Sequence, residues 1–237
     1  MDRLTCSMVD LPDPHVVIGT GRDIWSDDDG THELHRSTMD LLRDHGLARA
    51  RLNPLWINTL TLIAGAAHEL YVFGQYRDRS HGAVLLAASG DDAVRVVADR
   101  AVVIVEPISA RWLATTLVDS LPSVPGARVR PVTITGDQWG NPDTLPSDPL
   151  AEPAGISDCD DLAEVLAAPR DAVHQIYAAR RIDGQRMRSS PITAIDLVRR
   201  GRVLNYTTAG DDIVMTSGTP REMVVTINNT TAGLTSD

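Results

Sequence analysis

An α+β fold, two pseudo-twofold related antiparallel sheet-plus-helix subdomains, is what the sequence predicts, and three observations point to it. Short β-branched and aromatic runs recur in both halves of the chain. The links between them are too brief for a crossover, which makes neighbouring strands antiparallel. Each set of runs ends in a segment whose apolar residues follow helical spacing.

Taken in order, Val16 to Ile18 reads as a short strand bounded by Pro14, Gly19 and Gly21. Glu33 to His45 carries Leu34, Met39, Leu41 and Leu42 at mostly helical spacing and closes on Gly46. Asn53-Pro54 supplies an N-cap and a first-turn proline for a second helix from Leu55 to about Ala64. The texture then turns to β over Glu69 to Tyr76, Ala83 to Ala88, Ala93 to Ala98 and Ala101 to Val105. After Pro107, Leu113, Leu117 and Leu121 stack as one face of a helix over Ala110 to Leu121. Residues 122–156 are rich in proline and read as a linker or a loop over the surface, with Val129 to Ile134 their main apolar cluster.

Beyond the linker the same order returns. Leu162, Val165 and Leu166 make a short helix ending at Pro169. Strands follow over Ala172 to Ala179, Ile192 to Leu197, Val203 to Thr207 and Ile213 to Thr216. Gly218-Thr219-Pro220 opens a last helix striped by Met223, Val224 and Ile227. Aligning Pro107 with Gly218 places Leu113 on Val224, and Tyr71 and Tyr177 begin matching runs, so an internal duplication is expected. The expected divisions are residues 1–121, a linker at 122–156, and 157–237.

Composition narrows the chemistry. The chain has 237 residues, 22 basic against 32 acidic side chains and a formal charge of −10. Such a balance, with no basic run, argues against nucleic acid as a partner. Every basic side chain is arginine, so a P-loop, a pyridoxal Schiff base and a kinase strand lysine all fall away. Two cysteines with no metal spacing suggest reduced thiols and no zinc; no cofactor is expected. The absence of a signal-peptide pattern and of any long apolar run leads to the expectation of a cytoplasmic protein without a membrane span.

One cluster hints at catalysis: His32 and His35 beside Asp27, Asp28 and Asp29. The histidines are three apart, where a zincin helix needs four, and the acidic run lacks the alternation of a calcium loop. It reads better as an acidic turn before a helix. A small-molecule hydrolase or transferase using this region is the alternative function.

A family resemblance is carried by Gln175-Ile-Tyr-Ala-Ala-Arg-Arg181, Asp183-Gly-Gln-Arg186, Pro191-Ile-Thr-Ala-Ile-Asp196, Gly201-Arg-Val-Leu204 and Ser217-Gly-Thr-Pro220. In the first half it is carried by Leu41-Leu-Arg-Asp-His-Gly-Leu47, Asn53-Pro54 and the strand at Glu69 to Tyr76. The chain resembles the EspG family of proteins associated with type VII (ESX) secretion. The resemblance implies a non-enzymatic cytoplasmic chaperone that holds the tip of a PPE protein, usually within a PE/PPE heterodimer, and keeps it soluble until secretion. It implies a quasi-symmetric fold, with the client gripped by a loop between two strands and by the C-terminal helical bundle. The matching loop here is Arg77, Asp78, Arg79, Ser80 and His81, with Tyr76 at its edge. The second patch matches Asp160 through Leu166 and includes Asp160, Asp161, Leu162 and Val165. Arginine beside tyrosine suits such a loop, because guanidinium groups combine charge-assisted bonds with stacking. A homodimer is a further expectation, since open antiparallel sheets leave exposed edges.

Overall fold

The computed structural model describes residues 15–18, 28–48, 53–99, 102–135 and 158–234; within 28–48, the side chains of 28–32, 34 and 35 lie outside the description. Helix α1 (Asp28–Asp44) begins earlier than the apolar spacing predicts and ends on Gly46 at φ 70°. Helix α2 (Pro54–Gly65) starts as expected, with the Asn53 side chain accepting from the Leu55 N–H. The first meander is β1 (His68–Tyr76), β2 (His81–Ser89), β3 (Asp92–Ala98) and β4 (Val103–Pro107). A 3₁₀ turn (Ala110–Trp112) leads into α3 (Leu113–Asp119), so the expected single helix is split.

A short strand β5 (Val132–Ile134) follows, then α4 (Asp158–Ala167). The second meander is β6 (Arg170–Ile182), β7 (Gln185–Arg188), β8 (Ile192–Leu197), β9 (Gly201–Thr207) and β10 (Ile213–Ser217). Helix α5 (Pro220–Ala232) closes the described chain, capped by the Thr219 hydroxyl accepting from the Glu222 N–H.

The two meanders form one sheet rather than two. Strand order is β4-β3-β2-β1-β6-β8-β9-β10-β5, with β7 paired to the projecting end of β6. The junction is the antiparallel β1–β6 pair, where Tyr71 sits opposite Tyr177 with rings stacked at 5.1 Å. Reading outward from that pair, β1, β2, β3 and β4 have β6, β8, β9 and β10 as counterparts. The pseudo-twofold axis passes between the two tyrosines. Helices α3 and α5 are counterparts too and touch across this axis.

Alternation along the strands sends side chains to two faces. On one face, Leu70, Val72, Val84 and Leu86 join Ile176, Ala178, Ala194 and Leu204 beneath α3 and α5, giving a core shared by both halves. On the other face each half has its own cover. Tyr71, Leu85, Val94 and Val96 share a core with Ile63 of α2, whereas Ile195, Leu197, Val203 and Met215 pack with Leu162 and Val165 of α4. Leu85 and Leu86 are fully buried, and truncating either to alanine is expected to cost about 2–5 kcal/mol.

Three expectations need correction. Val16–Ile18 is a turn, closed by the Ile18 N–H donating to the His15 carbonyl at 2.9 Å, and not a strand. Strand β7 was not anticipated, although Asp183 and Gly184, at φ 49° and 81°, make the two-residue left-handed turn that an Asp-Gly pair favours. The proline-rich segment is not only a connector, because its β5 pairs with β10; residues 136–157 lie outside the described residues.

Candidate functional site

The loop singled out in the sequence is the tight hairpin turn joining β1 to β2. Tyr76 N–H donates to the Ser80 carbonyl at 3.1 Å and Arg79 N–H to the Tyr76 carbonyl at 2.9 Å, with Arg79 at φ 65°. Asp78 accepts from the Ser80 N–H at 2.8 Å and from its hydroxyl at 2.6 Å, and these bonds hold the Asp78 carboxyl below its ordinary range. The turn is thus set by its own side chains. Arg77, Asp78, Arg79, Ser80 and His81 are all exposed.

Tyr76 differs from its neighbours. It is half-buried, with its ring edge-on to His174 at 5.7 Å. Burial pushes its hydroxyl above the ordinary tyrosine range, helped by the charge of Asp196 and opposed by Arg202. Gly74 makes room for this arrangement: a Cβ there would come within 3.2 Å of His174 Nδ1 and 3.3 Å of the Tyr76 hydroxyl.

The second patch belongs to α4, and the turn meets the strand that follows that helix. Arg77 N–H donates to the Asp171 carbonyl at 2.8 Å, and its guanidinium lies 3.6 Å from the Asp171 carboxylate, just past the end of α4. Within α4 the predicted residues separate. Leu162 and Val165 are 1% and 4% exposed and serve the core, so their burial removes them from any surface offered to a partner. Asp160 faces outward, while Asp161 accepts from Arg130 at 2.8 Å, and Asp158 pairs with the same guanidinium. The family resemblance assigned these two residues to a client patch, whereas here they form the helix's buried stripe.

Between the β1–β2 turn and the segment after α3 lies an open groove of about 840 Å³, with Tyr76 and Asp171 on one side and Arg128, Arg199 and Arg200 among its other lining residues. No sequence signal marked these arginines, because Arg128 and the Arg199-Arg200 pair come from segments far apart in the chain. Beneath the groove, Asp196 accepts two bonds from Arg202, Nε to Oδ1 at 2.6 Å and Nη2 to Oδ2 at 2.9 Å. Arg202 also donates to the Pro122 carbonyl at 3.1 Å, tying the groove wall to β9. The arrangement offers exposed guanidinium and carboxylate groups around a half-buried aromatic ring: the chemistry of protein recognition.

Among the described residues, no group of three or more His, Cys, Asp or Glu is placed to hold a metal ion. Asp27 and the side chains of Asp28, Asp29, His32 and His35 lie outside the described residues; the backbone of 28–44 is helical. Among the described residues, no helix is long and apolar enough to cross a membrane.

The EspG family model matches residues 3–229. The chain belongs to the EspG family. Among solved structures, this EspG-family chain is similar to the Mycobacterium tuberculosis type VII secretion system chaperone EspG5, solved in complex with the PE25–PPE41 dimer. That likeness has a TM-score of 0.67 at 13% identity and covers 95% of this chain and 91% of the other, which makes it a likeness of fold. No curated protein matches the sequence.

Proposed function

We propose that this protein is a cytoplasmic secretion chaperone that binds the tip of a PPE protein, within a PE/PPE heterodimer, and keeps it soluble for type VII secretion. Family membership over nearly the whole chain carries the reading. Work of this kind asks for no reactive group and the chain acts without making or breaking bonds. It requires a soluble surface able to cover an apolar, self-associating end, and a charge of −10 serves solubility. Residues 1–121 and 157–237 are the two halves of this scaffold, joined by 122–156.

The client is gripped at the β1–β2 turn, through Tyr76, Arg77, Asp78, Arg79, Ser80 and His81, with Asp160 and Asp161 of α4 contributing a second contact. Tyr76 supplies a partly shielded aromatic anchor, and Arg77 and Arg79 supply the charged fork beside it. Co-expression with PE/PPE pairs encoded by the same genome tests the reading. A stoichiometric complex that co-elutes, with more soluble client, is expected; no co-elution with any pair overturns it. Arg77→Glu with Arg79→Glu should weaken that complex while leaving the melting temperature unchanged, because both side chains are exposed. Undiminished affinity in a titration would place the grip elsewhere.

A further inference from the structure

Close below the β1–β2 turn two glycines face each other. Gly74 of β1 is the register partner of Gly82 of β2, and on its other side it is the register partner of His174 of β6. Glycine weakens a strand interior, because it has no side chain to pack and loses much freedom on folding, so two in one cross-strand row ask for a use of the space they leave. Tyr76 uses it. Two residues along β1 from Gly74 and on the same face of the sheet, it leans back over the row: a Cβ on Gly74 would meet the Tyr76 hydroxyl at 3.3 Å and Cε2 at 3.4 Å, and one on Gly82 would meet Cε2 at 3.9 Å.

His174 closes the far side of this space. It is 0% exposed, and its ring meets the Tyr76 ring edge-on, with centroids 5.7 Å apart. Nε2 lies 3.2 Å from Asp196 Oδ2. Arg202 binds both oxygens of that carboxylate, which is therefore ionised and can only accept, so Nε2 carries a proton. Nδ1 has no hydrogen-bond partner among the described residues and lies 3.2 Å from the place a Gly74 Cβ would take. A buried ring nitrogen left unpaired is costly, and the bond on the opposite side of the ring holds it there. The imidazole is thus clamped from β8 and β9 with its other edge against Tyr76.

We propose that Gly74 and His174 are positioning residues for Tyr76: the missing side chain of Gly74 gives the phenol ring a seat, and the clamped imidazole forms the back of that seat. The inference rests on the reading of the β1–β2 turn as the client grip and deepens it, because part of the grip's strength then comes from two buried residues beneath the turn. An aromatic side chain at the end of a strand, left unsupported, spreads over several rotamers and must be ordered when a partner binds. A seated ring has already met that cost. The backbone of the turn is held separately, by Asp78 and Ser80, so the seat governs the ring and not the path of the chain.

The test joins nuclear magnetic resonance of ring-labelled tyrosine to a client titration, both on the full-length protein, with a PE/PPE pair that co-elutes with the wild type as the probe. Tyr76→Phe identifies the Tyr76 signals. In the free wild type, Overhauser contacts between the Tyr76 and His174 rings are expected. Gly74→Val fills the seat and should abolish those contacts and weaken client binding roughly tenfold, with an unchanged circular dichroism spectrum, whereas Gly74→Ala, which the phenol can accommodate by a small shift, should weaken it about threefold. His174→Gln keeps a donor for Asp196 but removes the ring, and should weaken binding as Gly74→Val does. Absence of the ring contact in the wild type overturns the proposal. So does a Gly74→Val protein that loses the contact and binds as the wild type does, or one that binds weakly with the contact intact. If Gly74→Val fails to fold, wild-type affinity in Gly74→Ala has the same force. A wild type that binds no pair overturns the chaperone reading and this role with it, and the ring contact, read on the free protein, tells that result apart from a failure of the seat.

Discussion

Glu69 in the first half of the sheet and Asp196 in the second are both buried carboxylates with an arginine and a histidine for company, yet the two clusters are built from different parts of the molecule. Asp196 lies on β8, Arg202 on the neighbouring β9 and His174 on β6, so all three positions are set by strand register. Arg202 is 3% exposed and binds both carboxylate oxygens. Glu69 lies on β1, but its partners arrive from the periphery. Arg186 of β7 donates through Nε and Nη2 to the same oxygen, at 2.9 and 2.6 Å, and His15 comes from the N-terminal turn at 3.2 Å. The Val17 N–H donates to His15 Nδ1, and His15 Nε2 lies 3.2 Å from Glu69 and 3.1 Å from Arg186 Nη2. One cluster therefore locks the sheet internally, and the other fastens outlying segments to it.

The largest effect that can break this comparison comes from the internal lock. Arg202→Met should leave Asp196 buried without its cation and cost about 3–5 kcal/mol in urea unfolding. Glu69→Gln should cost less, on the order of 1–3 kcal/mol, because Arg186 is partly exposed and can turn to water. Equal losses would mean that register-built and peripheral clusters are energetically alike.

Acid titration sharpens the contrast. Burial pushes both carboxyls up, but hydrogen bonds and charge from the arginine and histidine beside each outweigh it and hold both below their ordinary values of 3.8 for Asp196 and 4.5 for Glu69. A depressed folded value stabilises the protein fully above the ordinary value, and that contribution is lost as pH falls through the folded one. Stability should therefore drop steeply below about pH 4. Asp196→Asn should flatten that acid limb, and an unaltered limb would remove the linkage. The smallest effect is the surface control. Glu33 and Arg36 pair in the open on α1 with side chains 65% and 66% exposed, and Arg36→Ala should change stability by less than about 0.5 kcal/mol.

Much of the fold was legible residue by residue. Asn53 caps the helix it was expected to cap, the last helix opens at Thr219-Pro220 as expected, and the short links around Asp78 and Gly90 give the antiparallel neighbours they implied. The duplication was visible in the matching of Tyr71 with Tyr177. The candidate site was legible only in part. The β1–β2 turn is exposed as its composition suggested, but Leu162 and Val165, assigned to the second patch by family resemblance, are buried, because a matched position does not say what a side chain packs against in this chain. Asp171, Arg199 and Arg200 carried no signal, since a groove assembled from separate turns leaves no spacing in the chain.

The sequence by itself determined most of the strands and helices, though not β5 or β7, and that they come in two similar sets, because side-chain periodicity, caps and turn residues act over a few neighbouring positions. Only the tertiary structure decided that the two sets share one sheet through β1 and β6, that β5 closes one end, and that β4 stands last at the other end among the described residues. Strand edges present the same backbone donors and acceptors whatever their side chains, so which edge meets which is settled by long-range packing and the shared core under α3 and α5.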